Sequence, residues 1–183
     1  MIFGNDYNWE KIQSGAAKYD FLMKRFLETD VSKDDEFQRK FTGFYRIRRS
    51  KTLFLNKYYN LMESLKGNPV AYSKIIKEVS SFQNAIEASF SSKMLATLNP
   101  DMPIWDRYVL ENIGIKAPQQ YRKTINVCIE IYSEIVKWYK NFMNTQDSRE
   151  MLFAFNKKLP EYKHFSDIKK IDLMLWQKRS KQM

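Results

Sequence analysis

The chain has 183 residues, a formal net charge of +10 and 44% hydrophobic residues, so it is long enough to bury a core without metal or disulfide support. Its single cysteine, Cys128, excludes an internal disulfide and a four-cysteine metal site, and its apolar neighbours predict a buried side chain. Only five glycines and five prolines are present, which argues against the many turns of a β-sandwich or barrel.

The hydropathy pattern predicts no membrane span. The longest apolar run, residues 151–155, is far shorter than the roughly 20 residues that a membrane helix needs. Residues 1–5 lack the basic start of a secretion signal. We therefore expect a cytoplasmic protein with no membrane association.

Helical spacing of apolar residues predicts an all-α chain, with about seven to nine helices in a single compact domain over residues 1–183. Asp6 is the expected N-cap of the first helix, and Gly15 is expected to weaken or split it. Ser32, followed by the acidic run at 34–36, predicts a second helix over residues 32–48, because an oxygen cap and negative charge suit a helix N-terminus.

Turn residues divide the next part of the chain. Apolar spacing over residues 54–65 predicts a helix that ends at Gly67, and Pro69 is expected to open another. Ser80 marks a break, after which the helical period resumes over residues 82–98 and stops at two prolines.

The C-terminal half begins with Asp106, which is the expected cap of a short helix over residues 107–112, with Gly114 at its end. The longest sustained helical spacing covers residues 121–142, after Pro118.

Two more helices are expected before the chain ends. One begins with a capping box at residues 147–150 and closes at Pro160, and Ser166 caps the last. Three basic residues then form a short C-terminal tail: Lys178, Arg179 and Lys181.

Common catalytic and cofactor motifs are absent, including the Walker loop, the dinucleotide glycine fingerprint and the zinc helix with two histidines. The only histidine, His164, is expected on the surface or in packing. The acidic run at 34–36 is explained by the helix N-terminus better than by magnesium. We expect no metal and no cofactor.

The high positive charge favours a polyanionic partner such as nucleic acid, although lysine enrichment on an ordinary solvated surface would give the same composition. A basic and aromatic cluster at residues 44–51 combines stacking surfaces with groups that bind phosphate. Its candidate nucleic-acid-binding residues are Arg46, Arg48, Arg49 and Lys51. In the alternative interpretation, Phe44 and Ile47 belong to the core and the arginines are merely solvated or paired with acids.

Residues 87–115 carry the most distinctive pattern: a helix, a proline turn, and Asp106 at the mouth of a new helix. This order, with Pro103-Ile104-Trp105-Asp106 followed by Val109 and Gly114, resembles the helix-hairpin-helix DNA glycosylases. The resemblance implies that Asp106 supports the departure of a flipped-out base or activates the attacking group, and it makes Lys93 a candidate covalent nucleophile. The family's glycine-rich hairpin has no counterpart before Lys93, and the spacing from Lys93 to Asp106 is shorter than the family's.

Two functions therefore remain open. The first is nucleic-acid binding, with glycosylase-like activity as the form that the resemblance implies. The second is a non-catalytic protein-interaction module of a bacterial or phage accessory system, in which Trp105 and Trp176 would form an exposed apolar patch. The sequence leaves the oligomeric state and the presence of any catalysis undecided.

Overall fold

The computed structural model describes residues 6–47, 52–83, 85–120 and 123–178. Within these ranges the chain forms nine α-helices and no strand, which confirms the all-α fold class. The helices are α1 (Trp9–Glu28), α2 (Asp35–Phe44), α3 (Thr52–Ser64), α4 (Tyr72–Ser81), α5 (Ala88–Leu98), α6 (Arg107–Ile113), α7 (Ile125–Phe142), α8 (Gln146–Lys158) and α9 (Asp167–Gln177). In these ranges, no helix is long and apolar enough to cross a membrane.

Helix α1 differs from its prediction at two points. Asn8 rather than Asp6 is the N-cap, and its side chain accepts the N–H of Lys11 at 3.0 Å. The expected break at Gly15 is wrong, because α1 passes through this residue unbroken. Gly15 is buried beside α9, and a Cβ at this position would meet the Leu173 side chain at 3.4 Å, an ordinary contact distance.

Helix α2 is shorter than the predicted range of 32–48. Asp34 rather than Ser32 caps it, because the Asp34 carboxylate accepts the N–H of Phe37 at 3.0 Å. The helix ends before Arg46, whose φ of 51° is left-handed. The N–H of Ile47 donates to the carbonyl of Thr42 at 2.9 Å, which completes the terminating turn. Arg46 therefore lies in a turn and not on a helix.

The starts of α4 and α5 also lie later than predicted. Pro69 precedes α4 without opening it, because the helix begins at Tyr72. Helix α5 begins at Ala88, so the expected resumption of the helix at Phe82 is wrong. Phe82 and Ile86 have helical spacing, yet both are half-buried side chains in the link that packs against the core.

Hydroxyl caps set the starts of the last three helices. Thr124 caps α7, which therefore begins later than the start predicted after Pro118. Thr145 caps α8, which begins before the capping box predicted at residues 147–150. In both cases the threonine side chain accepts an N–H of the first turn at 3.2 Å. Ser166 caps α9 as predicted.

Helices α5 and α9 form the centre of the fold. Residues 91–97 of α5 and 169–175 of α9 are buried all round, whereas a surface helix buries only one face. Helix α4 packs on α5, and α1, α6 and α8 pack on α9. Polar side chains of both central helices line one small cavity: Lys93 of α5, and Lys169 and Asp172 of α9.

Candidate functional site

Residues 99–106, here called the connector, link α5 to α6 and return along α5. The N–H of Trp105 donates to Oγ of Ser92 at 2.8 Å, and Oγ of Ser89 donates to the carbonyl of Trp105 at 2.8 Å. Both polar backbone groups of Trp105 are thus satisfied by serines one helical turn apart on α5. The Trp105 side chain is only 6% exposed, so it belongs to the core.

Two further helices hold the connector through its proline carbonyls. The hydroxyl of Tyr132 on α7 donates to the carbonyl of Pro103 at 2.8 Å. The hydroxyl of Ser166, at the start of α9, donates to the carbonyl of Pro100 at 2.6 Å. Because α5, α7 and the α9 cap all contribute, the position of the last connector residue, Asp106, is fixed from several sides.

Asp106 is the N-cap of α6, as the sequence predicts. Its Oδ1 accepts the N–H of Tyr108 at 2.9 Å, and Gly114, with φ of 73°, ends the helix. Asp106 is half-buried and its carboxylate also borders a small cavity in the core. The cap therefore explains only part of its surroundings.

Lys93 lies on α5 beside the same cavity and is only 5% exposed. Its Nζ donates to the carbonyl of Tyr45 at 3.1 Å and lies 5.8 Å from the ring centroid of Tyr45 and 5.7 Å from that of Phe90. Burial lowers the pKa of Lys93, and the negative charge of Asp106 offsets part of this effect. A lysine in such surroundings loses its proton more readily than an exposed one and gains nucleophilic character.

A second buried lysine lies opposite, on α9. Lys169 is 1% exposed, its Nζ lies 3.3 Å from Oδ2 of Asp172, and the hydroxyl of Tyr139 donates to the other oxygen of that carboxylate. Burial raises the pKa of Asp172, while the charge of Lys169 and the Tyr139 hydroxyl counteract it. These contacts satisfy a carboxylate that burial would otherwise penalise.

These groups surround a small space that we call the inner pocket, with a volume of about 20 Å³, enough for about one water molecule. Both candidate catalytic residues, Lys93 and Asp106, line it. Lys169 and Asp172, which the sequence interpretation did not nominate, complete its charged wall. The remaining lining residues are Phe44, Tyr45, Arg46, Ile104, Leu173 and Trp176.

An open groove of about 790 Å³ between α1 and α2, here called the basic groove, adjoins the inner pocket. Phe44, Arg46 and Trp176 line both spaces and so form the boundary between them. Among the described residues that line the groove there are no carboxylates and five cationic side chains: Lys11, Lys18, Arg39, Lys40 and Arg46.

The five cations of the basic groove differ in their pairing from several basic residues elsewhere in the described chain. Elsewhere Arg25 pairs with Asp34, and Lys33 pairs with Asp30. Among the residues that the structure describes, none of the five groove cations forms an ion pair with a carboxylate, and all five are exposed. The groove therefore has a local excess of positive charge that protein groups do not neutralise.

The predicted nucleic-acid-binding residues have different outcomes. Arg46 is exposed and lies in the basic groove. Arg48, Arg49 and Lys51 lie outside the described residues. Phe44 and Ile47 are each 8% exposed, so this part of the cluster contributes to the core as the alternative interpretation expected.

Lys11, Lys18, Arg39 and Lys40 were missed by the sequence interpretation. Lys11 and Lys18 are seven residues apart on α1, a spacing that puts them on one helix face and could have been noticed. Their proximity to Arg39 and Lys40 depends on how α2 packs against α1, which no local pattern specifies.

The remaining candidate groups add no chemistry to this site. His164 is exposed, and its Nε2 lies 2.9 Å from Oδ1 of Asp20. Cys128 is buried, as predicted. In the described part of the chain, no group of three or more histidine, cysteine, aspartate or glutamate side chains could hold a metal ion.

Comparisons of the chain with known protein families, with curated proteins and with solved structures found no match.

Proposed function

We propose that the protein binds nucleic acid through the basic groove. The single observation that carries the proposal is a set of five exposed cations on one surface, where the described lining residues include no carboxylate and none of the five is paired with a described one. Phosphate oxygens supply the negative charge that such a surface lacks, and their binding releases condensed counterions. Arg46, which the sequence interpretation nominated, lies among the five.

The groove shape supports the same proposal. Lys11 and Lys18 approach from α1, and Arg39 and Lys40 approach from α2. A polyanion lying between the two helices would therefore meet cations on both sides. A concave surface of one charge also concentrates the field and raises the rate of encounter with an oppositely charged partner.

The test is fluorescence anisotropy with labelled DNA and RNA at roughly 50 and 200 mM salt. If all five cations contact phosphates, the affinity for duplex DNA falls by about 10²- to 10³-fold across this range. Absence of binding, or binding that salt does not change, would remove the proposal.

A matched pair of variants assigns the binding to the groove. The double variant Lys18→Ala/Arg39→Ala removes two groove cations, whereas Lys137→Ala/Lys140→Ala removes two exposed lysines from α7. Both variants reduce the net charge equally. We expect only the groove variant to lower the salt dependence of log K, by about 0.7 to 0.9 for each phosphate that the protein no longer neutralises.

We propose DNA base excision as a second, narrower function. Two observations support it: Lys93 and Asp106 line the same pocket, and that pocket shares the lining residues Arg46 and Trp176 with the basic groove. Asp106 would stabilise the charge that develops on the sugar as the base departs, and Lys93 would be the candidate nucleophile. The pocket would have to enlarge to admit a base, because it has room for about one water molecule.

Duplexes that each carry one altered or mismatched base provide the test. Cleavage that disappears in Asp106→Asn, with folding and DNA affinity retained, would support base excision. Trapping of a protein–DNA adduct by borohydride, abolished in Lys93→Met, would assign the nucleophile. Equal cleavage by the parent protein and Asp106→Asn would indicate contamination and contradict the proposal.

The protein-interaction alternative has weaker support from the same residues. Trp105, one of its two expected anchors, is 6% exposed and hydrogen-bonded within the connector. Trp176 is half-buried at the boundary between the inner pocket and the basic groove. The two tryptophans therefore do not form one exposed apolar patch.

A further inference from the structure

In the basic groove, two aromatic rings each have one of the groove cations positioned over them. Nζ of Lys40 lies 5.6 Å from the ring centroid of Phe21. The guanidinium carbon of Arg46 lies 5.5 Å from the ring of Trp176. Phe21 and Trp176 are half-buried, whereas both cations are exposed. The groove thus offers flat apolar faces as well as charge, and a weak solvent-exposed contact covers each face.

The packing behind the rings fixes their positions. Trp176 contacts Phe44, with ring centroids 5.9 Å apart, and Phe44 is 8% exposed. Phe21 also packs against the core, from the middle of α1. Because one side of each ring is held by the protein, the outer side can receive a flat ligand without a large change in the fold.

We infer that the basic groove takes single-stranded nucleic acid, with Trp176 and Phe21 as stacking surfaces for unpaired bases. This inference rests on the proposed nucleic-acid function and makes it narrower. A duplex keeps its base faces inside the stack, so aromatic rings beside a phosphate-binding surface contribute little to the binding of a duplex. A single strand exposes base faces, and sites for it combine cations along the backbone with aromatic stacking partners.

Arg46 and Lys40 exchange partners when the strand binds. In the free protein they cover Trp176 and Phe21, and on binding their charges move to phosphate groups while bases take their places on the rings. Only the side chain of Arg46 moves, because the hydrogen bond from the N–H of Ile47 to the carbonyl of Thr42 holds the backbone of its turn. The groove length agrees with a short strand: the ten residue steps from Lys11 to Phe21 span about 15 Å along α1.

The experiment compares a labelled single strand of about ten nucleotides with the same sequence as a duplex, at one salt concentration and in DNA and RNA form. We expect tighter binding of the single strand than of the duplex, for DNA, RNA or both. Trp176→Leu should weaken single-strand binding by about 5- to 100-fold, and Trp176→Phe should retain most of it. Duplex binding should change little in both variants.

Trp138→Leu is the matched control, because Trp138 is also half-buried but stacks on Phe142 of α7, away from the groove. Circular dichroism and thermal unfolding compare the folding of all variants. The intrinsic fluorescence supplies a second measurement, since a base stacked on Trp176 quenches it and Trp176→Phe should abolish that binding-linked signal.

The outcomes separate this inference from the proposed function. Salt-dependent duplex binding that equals or exceeds single-strand binding would overturn the inference and leave nucleic-acid binding intact. The same holds if Trp176→Leu weakens single-strand binding no more than Trp138→Leu does. If neither form binds, both the inference and the proposed function fail.

Discussion

The hydroxyl of Tyr139 on α7 donates a hydrogen bond to the carboxylate of Asp172 on α9 within the core. The other oxygen of that carboxylate lies 3.3 Å from Nζ of Lys169. Both charged side chains are about 2% exposed, so each depends on the other for compensation of its buried charge. The pair forms one wall of the inner pocket. The helical spacing of apolar residues does not require a charged pair at this place.

Removing one member of this pair should destabilise the fold more than removing both. We expect Lys169→Met alone, or Asp172→Leu alone, to lower the free energy of unfolding by about 3–5 kcal/mol, because each leaves an uncompensated buried charge. The double variant should be more stable than either single variant. Urea denaturation measures all three, and additive losses in the double variant would show that the two charges do not compensate each other.

Arg46 should be a site where binding and stability conflict. Its φ of 51° costs an ordinary residue about 1–2 kcal/mol, whereas glycine avoids this strain but gains unfolded-state entropy. We expect Arg46→Gly to equal the parent protein in stability or exceed it by up to about 1 kcal/mol, and to bind nucleic acid more weakly.

Arg46→Ala is the control, since it removes the same cation and keeps the strained backbone. Thermal unfolding and fluorescence anisotropy give the two measurements. Stability that falls equally in both variants would mean that the left-handed turn is not strained by a side chain.

The stability that the connector gives to the fold should depend on Ser92 more than on its neighbour Ser91. Ser92→Ala leaves the buried N–H of Trp105 without its acceptor, at a cost of about 1–3 kcal/mol. Ser91→Ala removes only a hydroxyl bond to the carbonyl of Glu87, which still accepts the backbone N–H of residue 91. Urea denaturation should therefore rank Ser92→Ala well below Ser91→Ala in stability, and equal effects would contradict the connector's role.

Lys93 should make stability depend on pH at the alkaline end. Because burial lowers its pKa below the ordinary 10.5, the unfolded chain holds a proton more firmly than the folded one. Stability attributable to Lys93 therefore rises as pH increases from the folded pKa toward 10.5. We expect the difference in unfolding free energy between the parent protein and Lys93→Met to shift in favour of the parent over that window.

Comparison with the variant isolates Lys93, because buried tyrosines such as Tyr45 and Tyr58 titrate in both proteins. Urea denaturation at several pH values, from neutral up to the usual lysine pKa, provides the measurement. A difference that stays constant with pH would mean that the amine keeps its charge in the fold.

The sequence predicted the parts of the site that depend on neighbouring residues. Asp106 as a cap and Gly114 as a helix end follow from local backbone chemistry, and both were confirmed. The association of Lys93 with Asp106 came from the family resemblance and not from the residues alone, and both residues line the inner pocket.

The parts that were missed depend on packing between distant segments. Lys169 and Asp172 lie on α9, and the apolar spacing of the local sequence did not indicate that either side chain is buried. Both are buried, because α9 is surrounded by other helices. The available signal was a Lys–Asp pair three residues apart inside an apolar stretch, a spacing that suits mutual compensation in a core.

The connector is held in part by hydrogen bonds from Tyr132 and Ser166, and the second lysine of the inner pocket comes from α9. During synthesis on a ribosome, the acid at 106 and the amine at 93 are therefore both present before these contacts can form. The pocket is complete only after the chain beyond residue 166 has emerged and docked, so a nascent or prematurely stopped chain would carry the two side chains without their final arrangement.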